Sequence, residues 1–165
     1  MNIESSAFKN GGTIPSRYAK RGGNVSPPLA LRDVPRDAKT LVLVVEDPDA
    51  PHREFTHWVV FNIDPAGWFP EGKIPPGARQ ARNGWGEAAY GGPQPPDGEH
   101  RYFFRVRALD CALELPEGVD REEVERAVEG HVLAQAELVG LYAPDVGGEN
   151  ESVRAPLPAA TRFRR

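Results

Sequence analysis

Three short stretches of the chain are dominated by apolar side chains, many of them β-branched or aromatic. This pattern predicts β-strands over Lys39–Asp47, Thr56–Ile63 and His100–Asp110. Because successive side chains of a strand point to opposite faces, the two faces of each strand can be read from the sequence. In all three strands one face is apolar and finishes in an ionisable group, which predicts a polar rim on a hydrophobic sheet.

The ionisable groups that finish these faces are Asp47, His57 and His100. Alternation places His57 on the same face as Phe61, and it places His100 with Tyr102. Asp47 closes the first strand and His57 opens the next, so antiparallel pairing brings both groups to one rim. His100 joins that rim if its strand runs in the same direction as the His57 strand. We therefore expect a cleft that contains one carboxylate, two imidazoles and the Tyr102 hydroxyl.

The segment from Asp64 to Asp97 is irregular and rich in glycine and proline. Irregular loops of this length are uncommon in compact domains unless they serve a function. We expect this loop to form a wall of the cleft.

One helix is predicted after the third strand. Asp120 and Glu123 match an aspartate version of the capping box at its start. Apolar residues recur near the helical period, which predicts that one face of the helix packs on the sheet. These residues are Val124, Val128, Val132 and Val139. Gly130 lies within this run and is expected to bend or break the helix.

Composition narrows the class of protein. At 165 residues the chain is long enough for one domain, and its formal charge of −4, with acids and bases interspersed, weighs against a nucleic-acid partner. Cys111 is the single cysteine, so there is no disulfide framework, which fits a reducing compartment. No apolar run reaches the ~20 residues of a transmembrane segment, and the N-terminus does not resemble a secretory signal. We expect a cytoplasmic protein.

Two imidazoles beside one carboxylate are suited to holding an anion. The carboxylate can keep a proton on one ring, which then offers N–H donors, and glycines allow backbone amides to approach a ligand closely. We expect a phosphate or carboxylate group, bound at ~mM affinity as the bare ion. Each group also has an ordinary explanation, since a histidine at a strand edge commonly caps a carbonyl and Asp47 can start a turn.

Catalytic alternatives have less support. No serine lies in a G-x-S-x-G elbow, and no Walker or dinucleotide-binding glycine motif occurs. A metal site for a hydrolase can be drawn from Asp47, Asp49, His57 and His100. However, His52 and His57 lack the helical spacing of H-E-x-x-H. We therefore expect no catalytic residue, no metal and no cofactor.

Three motifs follow one another along the chain: DPDAP at 47–51, HW at 57–58 and GPQPPDGEHRY at 92–102. With AELVGLY ending at Tyr142, they resemble the phosphatidylethanolamine-binding protein (PEBP) family, most closely its bacterial and archaeal Raf kinase inhibitor-like branch. The resemblance implies a mainly β fold of two packed antiparallel sheets, with Greek-key connections and one or two peripheral helices. It covers residues 1–142 as one domain and leaves 143–165 as a C-terminal tail or strap.

The resemblance also implies a small anion pocket, for phosphate-like or phosphorylated head groups, in a binding protein that is not an enzyme. Carried over by position, the ligand-binding residues are Asp47, His57, His100, Tyr102, Pro51, Gly92, Pro93 and Tyr142, and the supporting residues are Asp49 and Arg101. Gln94 departs from the family pattern at a position expected outside the ligand set. Ala50–Pro51 is the expected cis peptide bond.

Two further implications concern partners. The alternative function is inhibition of a kinase or a protease through the pocket loops. Because bacterial relatives are often dimers, we also expect a homodimer. Both rest on the family resemblance alone, because fold does not determine function.

Overall fold

A computed structural model describes residues 1–66 and 68–144. Within them the chain forms eight β-strands, which are β1 Asn2–Glu4, β2 Gly12–Thr13, β3 Ala30–Arg32, β4 Thr40–Asp47, β5 Phe55–Ile63, β6 Arg79–Ala81, β7 His100–Leu109 and β8 Val132–Tyr142. A 3-10 helix covers Ser16–Tyr18, and the α-helix α1 covers Arg121–Val128. The three predicted strands correspond to β4, β5 and β7. Apart from Ala143 and Pro144, the predicted tail 143–165 lies outside the described residues.

Six strands form the main sheet in the order β2-β8-β7-β4-β5-β6, and β1 pairs with β3 in a second sheet. All paired strands are antiparallel except β2 and β8, which run parallel over two residue pairs. The order β7-β4-β5-β6 is that of a Greek key, in which the fourth strand returns beside the first. The predicted mainly β fold of two sheets is therefore confirmed, with α1 as the one α-helix of the described ranges.

The central strand β4 is buried along its whole length. One face of the main sheet packs against the N-terminal segment and the small sheet, where Ile3 joins Leu43 and Phe104 in a hydrophobic cluster. The other face packs against α1, whose Val124 and Val128 belong to a second cluster. Because both faces of β4 are covered, a charged side chain on this strand needs a partner inside the protein.

The predicted helix ends earlier than the apolar pattern indicated. α1 stops at Val128, and the chain turns at Gly130, whose φ of +83° lies in the left-handed region that glycine favours. Val132 and Val139 were predicted on this helix but lie in β8, which pairs with β7 along nearly its whole length. Backbone pairing along eleven residues outweighs a weak helical repeat.

No helix within residues 1–66 and 68–144 is long and apolar enough to cross a membrane. The α-helix α1 spans only eight residues.

The start of α1 depends on Asp120, whose carboxylate accepts a hydrogen bond from the backbone N–H of Glu123 at 3.2 Å. Replacing Asp120 with Ala removes that acceptor and should lower the free energy of unfolding by about 1 kcal/mol, measured by urea denaturation. Asp37→Ala, which removes an exposed carboxylate from a turn, is the matched control. Equal losses of stability in the two variants would contradict the capping role.

Candidate functional site

The ends of three strands meet at one rim of the main sheet. β4 ends at Asp47 and β7 begins at His100, and His100 Nδ1 lies 2.6 Å from Asp47 Oδ2. Both side chains are buried, with exposed fractions of 8% and 4%. The carboxylate holds a proton on Nδ1, so Nε2 is the ring nitrogen left for a ligand. β5 begins at the same rim, because β5 and β7 both run antiparallel to β4.

His57 reaches this rim through a β-bulge in β5. The register of β5 against β4 shifts by one residue between Trp58 and Thr56, which leaves His57 as the extra residue. The prediction that His57 shares a face with Phe61 is therefore wrong. Phe61 is buried on the α1 face of the sheet, whereas the His57 ring contacts Tyr102 on the opposite face.

The His57 ring is oriented by the segment between β6 and β7. Its Nδ1 lies 2.8 Å from the carbonyl oxygen of Gly91, whose own N–H donates to the His57 carbonyl at 3.0 Å. Nδ1 therefore carries a proton, and Nε2 of the neutral ring is a hydrogen-bond acceptor. Burial lowers the pKa of His57 more than the Gly91 carbonyl and the Asp47 charge raise it, so the ring is neutral at pH 7.

The Tyr102 hydroxyl is buried near both imidazoles and forms no hydrogen bond of regular geometry among the described residues, although Asp47 and the Gln94 backbone lie close enough to affect its pKa. The centroid of its ring lies 5.2 Å from that of His57 and 6.5 Å from that of His100. Burial, followed by the charge of Asp47, raises the pKa of Tyr102, so the hydroxyl keeps its proton. A buried hydroxyl without a partner costs free energy, and a ligand oxygen would supply the partner.

Asp47 and His57 line a cavity of about 210 Å³. The other residues of its lining are Ala50, Pro51, Phe55, Trp85, Gln94 and Pro96. His100 and Tyr102 lie one layer deeper, where they contact Asp47 and His57 respectively. The cavity is therefore mostly apolar, with its polar groups gathered on the side of the strand ends.

Two aromatic rings complete the lining. Phe55 and Trp85 stand edge-on to the His57 ring, with centroid distances of 5.2 and 5.3 Å. Lys20 Nζ lies 4.2 Å from the centroid of the Trp85 ring and brings a positive charge to this wall. Phe55 and Trp85 were not predicted, although a tryptophan between two glycines in a long loop was an available signal. Gln94, which was expected outside the ligand set, lines the cavity.

Gly92, Pro93 and Tyr142 do not line this cavity. The Gly92 backbone packs so closely against the N-terminal segment that a Cβ atom would lie 2.1 Å from a carbonyl oxygen. Pro93 and Tyr142 line a neighbouring groove of about 640 Å³, which shares Gln94 and Pro96 with the smaller cavity. The segment that joins Gln94 to Pro96 is thus a common wall of the two spaces.

The chain matches the sequence profile described as "Phosphatidylethanolamine-binding protein" over residues 4–143. The chain belongs to the PEBP family. A UPF0098 protein of Methanothermobacter thermautotrophicus is 49% identical over 148 residues, which cover 86% of this chain and 98% of that protein.

Solved structures of PEBP relatives have the same fold. A PEBP homologue from Chlamydia trachomatis matches with a TM-score of 0.83 and 44% identity, over 87% of this chain and 97% of that one. E. coli YbcL, described as a new member of the mammalian PEBP family, matches with a TM-score of 0.82 and 30% identity, over 87% of this chain and 98% of that one. The resemblance drawn from the sequence motifs is therefore confirmed at the level of family and fold.

In this PEBP-family chain, Asp49 and Arg101 connect the loop after β4 to the start of β7. The Asp49 N–H donates to Asp47 Oδ1 at 2.8 Å. The Asp49 carboxylate accepts hydrogen bonds from the Arg101 side chain at 2.8 and 3.0 Å and from the Arg101 backbone N–H at 3.0 Å. These contacts orient the segment that carries Asp47.

The expected cis bond at Ala50–Pro51 is wrong, since the described residues contain no cis peptide bond. The loop instead reverses at His52, whose φ is +77°, and the Arg53 N–H donates to the Pro51 carbonyl at 2.9 Å. A residue of positive φ beside a tight hydrogen bond provides the reversal without a cis bond.

The metal site considered for Asp47, Asp49, His57 and His100 has poor geometry. In the part of the chain that the structure describes, no three ligand atoms of this set lie within 4.8 Å of one another.

Hydrogen bonds from Arg101 lower the pKa of Asp49 from its ordinary value of 3.8 to about 2. Because the folded-state pKa lies below the unfolded one, the ionised carboxylate stabilises the fold above about pH 4, and this contribution disappears as the pH falls to about 2. Asp49→Asn should therefore be less stable than the native chain at pH 6 and equally stable at pH 2, measured by urea denaturation.

Asp97→Asn, which removes an exposed loop carboxylate, is the control for Asp49→Asn. A stability difference for Asp49→Asn that is the same at pH 6 and pH 2 would rule out the charge of Asp49 as its cause.

Proposed function

We propose that this PEBP-family chain is a binding protein, rather than an enzyme, whose rim cavity holds a phosphate or a phosphorylated head group. The observation that supports this most directly is a cluster of three polar groups at the cavity of about 210 Å³, in which His57 lines the cavity and His100 and Tyr102 lie directly behind the lining. His57 and His100 each have one ring nitrogen engaged within the protein and one left over. The Tyr102 hydroxyl forms no regular hydrogen bond within residues 1–66 and 68–144.

The protonation pattern favours a phosphate that carries one proton. Neutral His57 offers a lone pair at Nε2, to which a P–OH group can donate, and Tyr102 offers a proton to a phosphate oxygen. His100 is hydrogen-bonded to Asp47 through Nδ1 and keeps Nε2 for the ligand. Because Asp47 is itself negative, a monoanion matches the site better than a dianion.

The neighbouring groove supports a ligand larger than phosphate. Gln94 and Pro96 line both the cavity and the groove of about 640 Å³, so a substituent on a bound phosphate has adjacent space to occupy. The groove lining includes the side chains of Arg21 and Tyr142, a cationic and an aromatic group. A phosphorylated small molecule, with its phosphate beside His57, is the ligand class that we propose.

Replacing His100 with Asn tests the pocket directly. The Asn amide can still donate to Asp47 but lacks the outer ring nitrogen, so binding should be lost while the fold is kept. Titration with inorganic phosphate and phosphoethanolamine, followed by NMR chemical shifts, should give a Kd of ~mM for the native chain and no saturation for His100→Asn. His52→Asn, in the exposed loop after β4, is the matched control and should bind normally. Native-like binding by His100→Asn would contradict the assignment.

Tyr102→Phe tests whether the Tyr102 hydroxyl contributes to ligand binding or to the stability of the fold. Removing a buried hydroxyl that forms no regular hydrogen bond in the described part of the chain should raise the free energy of unfolding of the ligand-free chain by about 1 kcal/mol, and it should weaken phosphate binding. Urea denaturation and the same NMR titration measure the two effects. Lower stability together with unchanged phosphate affinity would show that the hydroxyl serves the fold instead.

Two other outcomes would redirect the proposal. Turnover of p-nitrophenyl phosphate that is lost in Asp47→Asn would make the pocket catalytic. Inhibition of a purified kinase or protease that phosphate relieves would favour the inhibitor function implied by the family resemblance.

A further inference from the structure

A second group of polar side chains lies at the opposite end of β7 from the rim cavity. Asp110 and Cys111 directly follow β7, and His131 lies in the turn between α1 and β8. Since β7 has ten residues at ~3.3 Å each, roughly 30 Å separates this group from His100. The two sites are therefore distinct, and no residue is shared between them.

Asp110, Cys111 and His131 can present one ligand atom each, and these three atoms lie within 4.8 Å of one another. They are the one such group in the described part of the chain. The His131 Nδ1 also donates to Asp110 Oδ1 at 2.7 Å. Side chains this close need little movement to surround a single cation.

The backbone at this group is held in place by the sheet. The Asp110 N–H donates to the His131 carbonyl at 3.0 Å, which joins the two segments that carry the ligands. The Cys111 carbonyl accepts a hydrogen bond from Thr40 Oγ1 at 2.7 Å, which ties the third ligand to the start of β4. A site on anchored backbone loses less conformational entropy when it binds a metal than a site on a free loop does.

We propose that Asp110, Cys111 and His131 form a binding site for a borderline-soft divalent cation, for which Zn²⁺ is the best match. A thiolate, an imidazole and a carboxylate are the ligand types that Zn²⁺ takes, whereas Mg²⁺ and Ca²⁺ prefer oxygen ligands alone. Asp110 is exposed and the other two side chains are half-buried, so solvent water can fill the fourth tetrahedral position.

Binding is an exchange of a proton for the cation. The cation displaces the proton of the Cys111 thiol, and the resulting thiolate and the Asp110 carboxylate neutralise its two positive charges. The surface pair of Asp110 and His131 without a metal is the alternative, and the experiment distinguishes the two.

Cobalt(II) is the probe, because thiolate coordination to this ion gives an intense near-ultraviolet charge-transfer band. Cys111 is the single cysteine of the sequence, so such a band reports this site and not the rim cavity, which has no sulfur ligand. Titration of the full chain under non-thiol reductant should give a band that saturates at one equivalent. Zinc should then displace cobalt and remove the band.

Variants of the other two ligands decide whether a site or a single thiol binds the metal. His131→Gln and Asp110→Asn should each weaken cobalt affinity at least tenfold, and Cys111→Ser should remove the band. His52→Asn and Asp97→Asn, which alter exposed loop residues, should leave the affinity unchanged. The proposal is overturned if no charge-transfer band forms, or if His131→Gln and Asp110→Asn both bind cobalt as the native chain does.

Discussion

The central strand β4 ends in two adjacent carboxylates, Glu46 and Asp47, that are only 2% and 3% exposed. A buried negative charge is costly unless it is paired, so the surrounding structure has to supply a partner for each. Neighbouring residues of a strand point to opposite faces, and the two acids are therefore paired on different sides of the sheet. Glu46 forms ion pairs with Arg105 and Arg121, whereas Asp47 is hydrogen-bonded to His100.

The two faces of the sheet differ because the partner of Glu46 is arginine and the partner of Asp47 is histidine. A guanidinium is permanently charged, so the arginines neutralise Glu46 at any ordinary pH and make that side a structural ion-pair network that joins α1 to the sheet. An imidazole uses one nitrogen for Asp47 and keeps the other, which can donate or accept according to its protonation state. The same need for charge compensation thus produces a structural ion-pair network on one face and, at the rim on the other face, a histidine that uses only one ring nitrogen for its buried partner.

The strand pattern was sufficient to predict the rim, because long apolar runs define β4, β5 and β7 and their ends carry Asp47 and His100. It was not sufficient for His57. The correct face of that side chain depends on a bulge, and a bulge arises from the pairing of two strands, which alternation within one strand does not encode. The end of α1 was misjudged for a similar reason, since pairing of β8 with β7 determined the conformation of Val132 and Val139.

The apolar side of the cavity was the least predictable part. Trp85 and Gln94 come from the irregular segment between β6 and β7, whose path is set by hydrogen bonds to the edge of β5. The Gly84 N–H donates to Thr56, and the Gly91 N–H donates to His57. Turn-forming residues show that such a segment is a loop, but they do not show which strand edge it follows.

The three prolines at positions 93, 95 and 96 stiffen the wall between the cavity and the groove. A wall that is already in place needs no folding step when a ligand arrives, so entry and departure are governed by diffusion and weak polar contacts. If the cavity binds the proposed anion, the bound and free forms should therefore exchange rapidly. The fraction of the protein with bound anion would then follow the free concentration of the anion at each moment, as in a sensor and not in a storage protein.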